Sequence, residues 1–325
     1  MRLQGRRTVE ALLLSLLLAE LLPCPATHCQ TGLDQYQAVL DTLMLSRIAN
    51  LDFHPEYGLL IADSRERAIW RISPDGEVAR LQALGQGPGE YTGLIAVKWG
   101  PGGTICIAGN SRVLVYSHSL EYQGWFGPLM PWDVEVTEDG RLYVALRMGP
   151  GGPVAMIDSR THAQVAVTDW RDSEALMGIP GDRAVSNAVI EWSSEKKLLF
   201  ICYKVDGWVE VVSGSKVTRT FQIASEAVKR SVSEMRQANR TGKGVVINIA
   251  LMSFTLLDDG NLLFSLGGEL ILATDEGHVL QRAPWPEGYR QFYAGPVGHV
   301  FAINSATNRV ESILLSDLFP NCADK

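Results

Sequence analysis

The feature that most constrains this chain is a hairpin-rich unit that recurs between residues 48 and 319. Its clearest copy is residues 59–91, LLIADSRERAIWRISPDGEVARLQALGQGPGEY. Units of this size cannot bury their apolar faces alone, so they stack around an axis and share one continuous core. The repeat therefore predicts an all-β fold, and specifically a β-propeller.

The number of blades follows from strongly apolar strands that each come after a turn signal. Gly-rich or Asp-Gly turns suited to tight hairpins lie at residues 55–58, 100–103, 138–140, 193–195, 258–260 and 295–298. The strands after them are LLIAD, TICIAG, RLYVAL, LLFICY, NLLFSL and HVFAIN. Most turns recur about every 40 residues, the length of a four-stranded blade. The sequence therefore predicts six blades.

A helical insertion is expected between blades four and five. In SEAVKRSVSEMRQANR the apolar residues Val228, Val232 and Met235 follow helical spacing. Ser225 is a candidate N-cap, and Gly242 is a stop signal. The pattern predicts a short amphipathic helix that covers one face of the propeller.

The two ends of the repeat region predict how the ring closes. Residues 37–47, QAVLDTLMLSR, have strand-like apolar content, whereas the last unit ends at NRVESILLSDLF without an obvious fourth strand. An N-terminal strand that completes blade six would leave no open sheet edge. The propeller is therefore expected to span residues 37–319, with a leader at 27–36 and a tail at 320–325.

The N-terminus has the pattern of a secretory signal peptide. Arginines occupy three of the first seven positions, an apolar run covers residues 11–23, and Ala26 gives a small-residue cleavage site. A membrane anchor needs roughly 18 uninterrupted apolar residues, and Glu20 interrupts this run. We expect residues 1–26 to be removed and the protein to be periplasmic or extracellular. Lipidation at Cys24 or Cys29 is the second interpretation.

The charge limits the possible partners. The formal net charge is −7, and the chain contains no run of Lys or Arg. A mildly acidic chain of this kind is a poor ligand for nucleic acid or an anionic membrane. We expect a monomer without a transmembrane segment.

The cysteines leave one pairing open. Cys106 and Cys202 lie within strand patterns and are expected to be buried. Cys29 and Cys322 lie at opposite ends of the mature chain, and the ends of a closed propeller meet in one blade. In an oxidising compartment these two are candidates for a disulfide, although connectivity is not readable from sequence.

One stretch resembles a known family. The linker GQGPGEY at residues 85–91, with IADSRERAIWRISPDG upstream, is similar to the secreted bacterial six-bladed β-propellers related to NHL-repeat proteins. The resemblance covers blades one to three and fades in blades four to six. It implies the fold, and because most of that family has no assigned activity, it implies little about function.

Candidate contact residues lie in the linker and in aromatic loops. They are Glu90, Tyr91, Trp125, Trp132, Trp285 and Tyr289. Aromatic residues on positioned loops form rigid contact surfaces, although packing between blades is the alternative for each of them. The favoured function is non-catalytic binding of a protein, peptide or glycan through the top face, where the inner strands begin, with no cofactor.

The alternative function is a divalent-metal-dependent hydrolase or lyase, so whether the chain is an enzyme stays open. Related propeller lyases and lactonases gather histidines or carboxylates around a metal at the top of the channel. Five histidines of this chain lie in or beside hairpins that are expected on the opposite face: His54, His118, His162, His278 and His299. Asp63, Asp133 and Glu191 are the candidate ligands, for which calcium is possible, and Asp63 equally fits a turn cap.

Overall fold

The computed structural model describes residues 33, 35–109, 111–147, 151–171, 188–241 and 249–320. Their strands form six antiparallel sheets, and the innermost strand of each sheet contacts that of the next around a closed ring. The protein is a six-bladed β-propeller, as the repeat predicted.

The first three blades each contain four strands. Blade one comprises β1 (Ile48–His54), β2 (Gly58–Asp63), β3 (Ala68–Ile72) and β4 (Val78–Leu81). Blade two comprises β5 (Leu94–Gly100), a 3₁₀ turn (Pro101–Gly103), β6 (Thr104–Gly109), β7 (Val113–Tyr116) and β8 (Tyr122–Phe126). Blade three comprises β9 (Pro131–Val136), β10 (Arg141–Leu146), β11 (Val154–Asp158) and β12 (Gln164–Ala166).

The remaining blades differ at the last one. Blade four comprises β13 (Ala188–Ser193), β14 (Leu198–Tyr203), β15 (Trp208–Ser213) and β16 (Lys216–Gln222). Helix α1 (Glu226–Arg240) precedes blade five, which comprises β17 (Leu251–Leu256), β18 (Leu262–Leu266), β19 (Glu269–Ala273) and β20 (Val279–Pro284). Blade six comprises β21 (Tyr289–Ala294), β22 (His299–Asn304) and β23 (Val310–Leu314), and helix α2 (Leu315–Leu318) follows.

Burial explains the sequence pattern of each blade. The second strand lies inside its sheet and packs on both faces, so β2 is buried at every position. The fourth strand lies at the rim and alternates between half-buried and exposed positions, as in β16. The apolar strands that predicted six blades are therefore the second strands.

Side chains on the inner strands connect neighbouring blades. In three examples a backbone N–H group donates to a side-chain oxygen of the preceding blade: Trp99 N to Asp52 Oδ2 (2.6 Å), Ile190 N to Asp133 Oδ2 (3.1 Å) and Ala294 N to Thr255 Oγ1 (3.1 Å). Such bonds satisfy inner-strand N–H groups that face a neighbouring blade rather than a paired strand.

The predicted closing strand is wrong. Residues 35–40 are helical, and blade six has three strands among the described residues. Leu33, Tyr36 and Leu40 are buried, at the three- and four-residue spacing of a helix face that the strand interpretation overlooked. The helix covers the open edge, where Gln37 Oε1 accepts a bond from Ser312 N (3.1 Å).

The helical insertion between blades four and five is confirmed. Val228 and Met235 of α1 are buried against the blades. Ser225 stands at the N-cap position, but its hydroxyl makes no capping bond and lies 3.4 Å from Glu269 Oε2. Gly242 lies outside the described residues.

Several predictions concern chain segments that the structure leaves undescribed. The signal peptide at 1–26, most of the leader and the tail, and Cys24, Cys29 and Cys322 lie outside the described residues. Cys106 and Cys202 are free and buried, as expected. Within the described ranges, no helix is long and apolar enough to cross a membrane.

Candidate functional site: an axial channel with two cavities

Charged side chains meet on the propeller axis. Asp52, Lys98, Glu135 and Glu191 come from the inner strands of blades one to four. Each pairs with the third residue of the second strand in its own blade. Because the positions are equivalent, the ring brings their side chains together.

Lys98 is the centre of this group. Its Nζ lies 2.6 Å from Glu135 Oε1, 3.3 Å from Glu191 Oε1 and 3.7 Å from Asp52 Oδ1. The Lys98 side chain is only 7% exposed. Since each acid comes from a different blade, the ammonium group connects blade two with blades one, three and four. We call these four residues the Lys98 centre.

The Lys98 centre shifts the pKa values of its members upward. Burial lowers the pKa of Lys98, but the carboxylates, led by Glu135, outweigh burial and hold it well above its ordinary value. Burial, opposed by Lys98, raises the pKa of Glu135 well above its usual range. Burial, again opposed by Lys98, raises the pKa of Glu191 to about 7. One ammonium group therefore does not compensate three buried carboxylates.

A cavity of about 500 Å³ opens at the face where the inner strands begin. We call it the top cavity. Lys98, Glu191 and Tyr293 line its inner end, and the cations at its wall are Arg47, Arg147, Lys204 and Arg290. None of these four forms an ion pair with a carboxylate among the described residues.

The Trp132 ring contacts two of these cations, Lys204 and Arg147. Its ring centroid lies 4.5 Å from Lys204 Nζ and 4.8 Å from Arg147 Cζ, within the range of cation–π contacts. Burial, opposed by Asp133, lowers the pKa of Lys204 to about 8. The top cavity therefore holds positive charge that no carboxylate of the described residues pairs with directly.

A second cavity, of about 590 Å³, opens at the opposite face among the first hairpins of the blades. We call it the bottom cavity. Lys98, Glu191 and Tyr293 line both cavities, so these side chains separate the two. Its other charged lining residues are acidic, among them Glu138 and Glu195.

The three predicted metal ligands, Asp63, Asp133 and Glu191, lie in two separate places. Asp133 and Glu191 line the top cavity. Asp63 is buried in a turn, where its carboxylate accepts bonds from the backbone N–H groups of Ser46, Arg47, Arg65 and Glu66. Asp63 therefore bonds both the segment that leads into β1 and the turn that follows β2.

Acidic side chains from three blades do converge, but they converge on Lys98. In the parts of the chain that are described, no group of three or more His, Cys, Asp or Glu residues has an arrangement that could hold a metal ion. The ammonium group of Lys98 stands among the carboxylates that a metal would need.

Of the linker residues, Tyr91 is turned into the protein, and the half-buried Glu90 bonds within its own loop. Tyr91 is buried, and its hydroxyl donates to Arg67 O at 3.0 Å. The Glu90 carboxylate accepts a bond from Gly87 N at 2.8 Å. Gly85 has a φ of +145°, and a Cβ there would lie 2.0 Å from Glu90 Oε2, so the loop requires glycine at this position.

The other predicted aromatic contacts separate into three environments. Trp132 lines the top cavity. Trp125 is 44% exposed on the rim strand β8. Trp285 Nε1 donates to Tyr289 O at 2.8 Å, and the Tyr289 hydroxyl donates to Glu311 Oε2 at 2.5 Å, so both residues take part in packing within blade six.

Sequence analysis missed Lys98 and the cations of the top cavity. Their signal is positional: Lys98 occupies the same place in its inner strand as Glu135 and Glu191 do in theirs. Arg147 and Lys204 each directly follow a second strand. Aligning the blades by their second strands would have grouped these residues.

Fold and channel together define a six-bladed β-propeller with a charged axial channel. No family model and no curated protein matches the sequence. The fold is similar to a catalytically inactive virginiamycin B lyase of Staphylococcus aureus solved with quinupristin, at 12% identity and a TM-score of 0.53, covering 84% of this chain and 86% of the lyase.

Two further solved structures share the fold. One is an auxiliary nutrient-binding protein of Bacteroides thetaiotaomicron, at 11% identity and a TM-score of 0.55, covering 82% of this chain and 69% of the other. The second is a protein of Bacteroides fragilis described as exported, at 14% identity and a TM-score of 0.53, covering 81% and 80%. At these identities the similarity shows the fold alone.

Proposed function

We propose that the protein is an exported, non-catalytic binding propeller that holds the acidic group of a peptide, protein or glycan in its top cavity. The observation that carries the proposal is Lys204. Lys204 is half-buried, its ammonium group lies 4.5 Å from the Trp132 ring centroid at the cavity wall, and it forms no ion pair among the described residues. A half-buried cation without an ion pair favours a ligand that supplies the missing negative charge.

Three neighbouring cations support the same ligand chemistry. Arg147 shares the Trp132 ring with Lys204, and the exposed Arg47 stands at the start of blade one. Arg290 is held by bonds to Ile48 O (2.8 Å) and Asn308 Oδ1 (2.7 Å), which fixes its guanidinium at the cavity wall. Fixed guanidinium groups suit the planar geometry of a carboxylate.

The test is isothermal titration of the protein with a galacturonate oligomer and with a glutamate hexapeptide. A glutamine hexapeptide and a neutral galactose oligomer are the uncharged controls. The two acidic ligands distinguish a glycan source from a peptide source of the same carboxylate. We expect one of them to bind, with an affinity that falls as salt is added.

Two variants locate the site. Lys204→Gln should weaken binding about tenfold or more, the loss expected when one partner of a buried charge pair is removed. Lys229→Gln makes the same change on the exposed face of α1 and should leave the affinity unchanged. Equal losses in the two variants, or no binding of either acidic ligand, would overturn the proposal.

Export is the second part of the proposal. It is supported by the signal-peptide pattern of residues 1–26 and by the structural neighbour that is described as exported. Cell fractionation followed by N-terminal sequencing tests it, and we expect a mature protein that begins at residue 27. A cytoplasmic protein that retains residue 1 would contradict export.

The alternative is a divalent-metal-dependent lyase or hydrolase, which is supported by the structural neighbour that is named as a lyase. Its test is thermal unfolding with EDTA and then with calcium, magnesium, zinc or manganese. A ligand at about 100 times its dissociation constant adds about 2.7 kcal/mol of stability. A shift of that order with one metal would favour the enzyme, and Asp133 and Glu191 would be the first ligands to replace.

A further inference from the structure

The bottom cavity has the opposite electrostatic character to the top cavity. Seven carboxylates and a single ammonium group, that of Lys98, line it. Three of the carboxylates belong to the Lys98 centre, and the other four lie near the cavity mouth: Glu56, Glu138, Glu195 and Asp258. None of these four forms an ion pair with a described residue.

Aromatic side chains form part of the cavity wall. The His54 ring stacks on Tyr57 at a centroid distance of 4.4 Å and an interplanar angle of 20°, and Tyr57 packs against Trp99 at 5.5 Å. Across the cavity, Trp192 Nε1 donates to Glu138 Oε2 at 3.3 Å. Since the faces of aromatic rings attract cations, these walls would add cation–π contacts to the charge attraction of the carboxylates.

The inner end of the cavity already holds an ammonium group. Lys98 Nζ is surrounded there by Glu135, Glu191 and Asp52, at 2.6 to 3.7 Å. Lys98 thus shows that this end of the channel accommodates an ammonium group. Nearer the mouth, Glu56, Glu138, Glu195 and Asp258 supply the negative charge of the cavity.

We infer that the bottom cavity is a second binding site, which takes an organic cation with an ammonium or guanidinium group. Glu138 and Glu195 pair with the cation, and Trp192 and Tyr57 contact its apolar part. The site goes beyond the proposed function because it lies on the other face of the propeller and selects the opposite charge. Arg141 and Lys197 lie at the neighbouring rim, where Arg141 pairs with Asp139 at 2.7 Å, so they border the site rather than fill it.

The experiment is isothermal titration of the full chain at low ionic strength with spermidine and, separately, with acetyl-arginine amide. Tryptophan fluorescence is recorded in parallel, because Trp99 and Trp192 line the cavity. We expect one cation to bind per protein with a change in emission. The two probes distinguish an ammonium ligand from a guanidinium ligand.

Paired variants with the same change in net charge test the location. Glu138→Gln with Glu195→Gln should weaken binding about tenfold. The glutamine at position 138 can still accept the Trp192 bond, so the wall is preserved. Glu276→Gln with Glu287→Gln alters two exposed carboxylates that do not line the cavity, and it should leave the affinity unchanged.

Several results would overturn the inference. One is equal weakening in the two double variants, which would indicate general attraction to an acidic protein. Another is the absence of binding by either probe at low ionic strength. Lys204→Gln serves as an independent check, since it should affect anion binding at the top cavity and leave cation binding intact. Failure at one cavity is therefore distinguishable from failure at the other.

Discussion

Lys98 Nζ lies 2.6 Å from Glu135 Oε1, and this contact joins blades two and three on the axis of the propeller. Both side chains are more than nine-tenths buried. A buried pair of this kind is costly to break from one side, because the remaining charge loses both water and partner. The stability of the propeller is therefore expected to depend strongly on the Lys98 side chain.

Replacing Lys98 should destabilise the protein severely. Lys98→Met leaves three buried carboxylates without their cation, and removing one partner of a buried pair costs about 3–5 kcal/mol. The free energy of unfolding, measured with denaturant at pH 8, gives the change directly. Adding Glu135→Gln to Lys98→Met should recover part of the loss. A single variant as stable as the control Lys229→Met would contradict this account of the centre.

The Lys98 centre also predicts a pH dependence of stability. The pKa of Glu191 in the folded protein is about 7, against an ordinary value of 4.5. Between these two values the folded state binds more protons than the unfolded state, so stability falls as pH rises. The part of this loss that Glu191 contributes begins near pH 4.5 and is complete above about pH 7.

Glu191→Gln should remove the part of that dependence that Glu191 contributes. The amide cannot ionise, so the variant should gain on the order of 3 kcal/mol relative to the wild type between pH 4.5 and pH 8. Unfolding free energies at several pH values give the two curves. If the curves stay parallel, Glu191 is not the titrating group. Glu311→Gln, at a half-buried position outside the channel, is the matched control.

The fold was predictable because it rests on local signals that repeat. Turns such as the one at Gly58 and strongly apolar strands such as β2 recur in every blade, and each repetition reinforces the same conclusion. The prediction of an N-terminal closing strand was wrong, and it concerned the one segment that does not repeat elsewhere in the chain. There Tyr36 and Leu40 fit a helix face as well as a strand, and tertiary packing selected the helix.

The channel was much less predictable. Glu191 and Lys98 are 93 positions apart in sequence, and only ring closure brings them within 3.3 Å. Asp63 looked like a ligand because an acid at the end of a strand fits a turn cap and a metal site equally well. The structure shows four backbone donors at its carboxylate, and no spacing rule reveals them.

Asp63 provides a test of that turn. Asp63→Ala removes the acceptor of four backbone N–H groups and should cost about 3 kcal/mol in unfolding free energy. Asp63→Asn should cost only about 1 kcal/mol, because Oδ1 alone accepts three of the four bonds. Denaturant unfolding measures both variants. Equal losses would show that the negative charge, rather than the bonding pattern, matters at this position.

The last prediction concerns the helix at residues 35–40, which covers the open edge of blade six. Gln37 Oε1 accepts a bond from Ser312 N at 3.1 Å, and Gln37 Nε2 donates to Val310 O at 3.5 Å. The Gln37 side chain therefore satisfies one N–H and one C=O group at the open edge of strand β23. Gln37→Ala should cost about 1 kcal/mol. The Ser312 amide should also exchange faster with solvent, which hydrogen exchange with residue-level resolution detects.

The matched control is Gln164→Ala, which removes the same side chain from the exposed rim strand β12. Stability and exchange at Ser312 should be unchanged in that variant. Because an unpaired strand edge pairs readily with other chains, Gln37→Ala should also self-associate more at high concentration. Unaltered exchange at Ser312 would mean that the buried Tyr36 and Leu40, rather than the Gln37 amide, protect the edge.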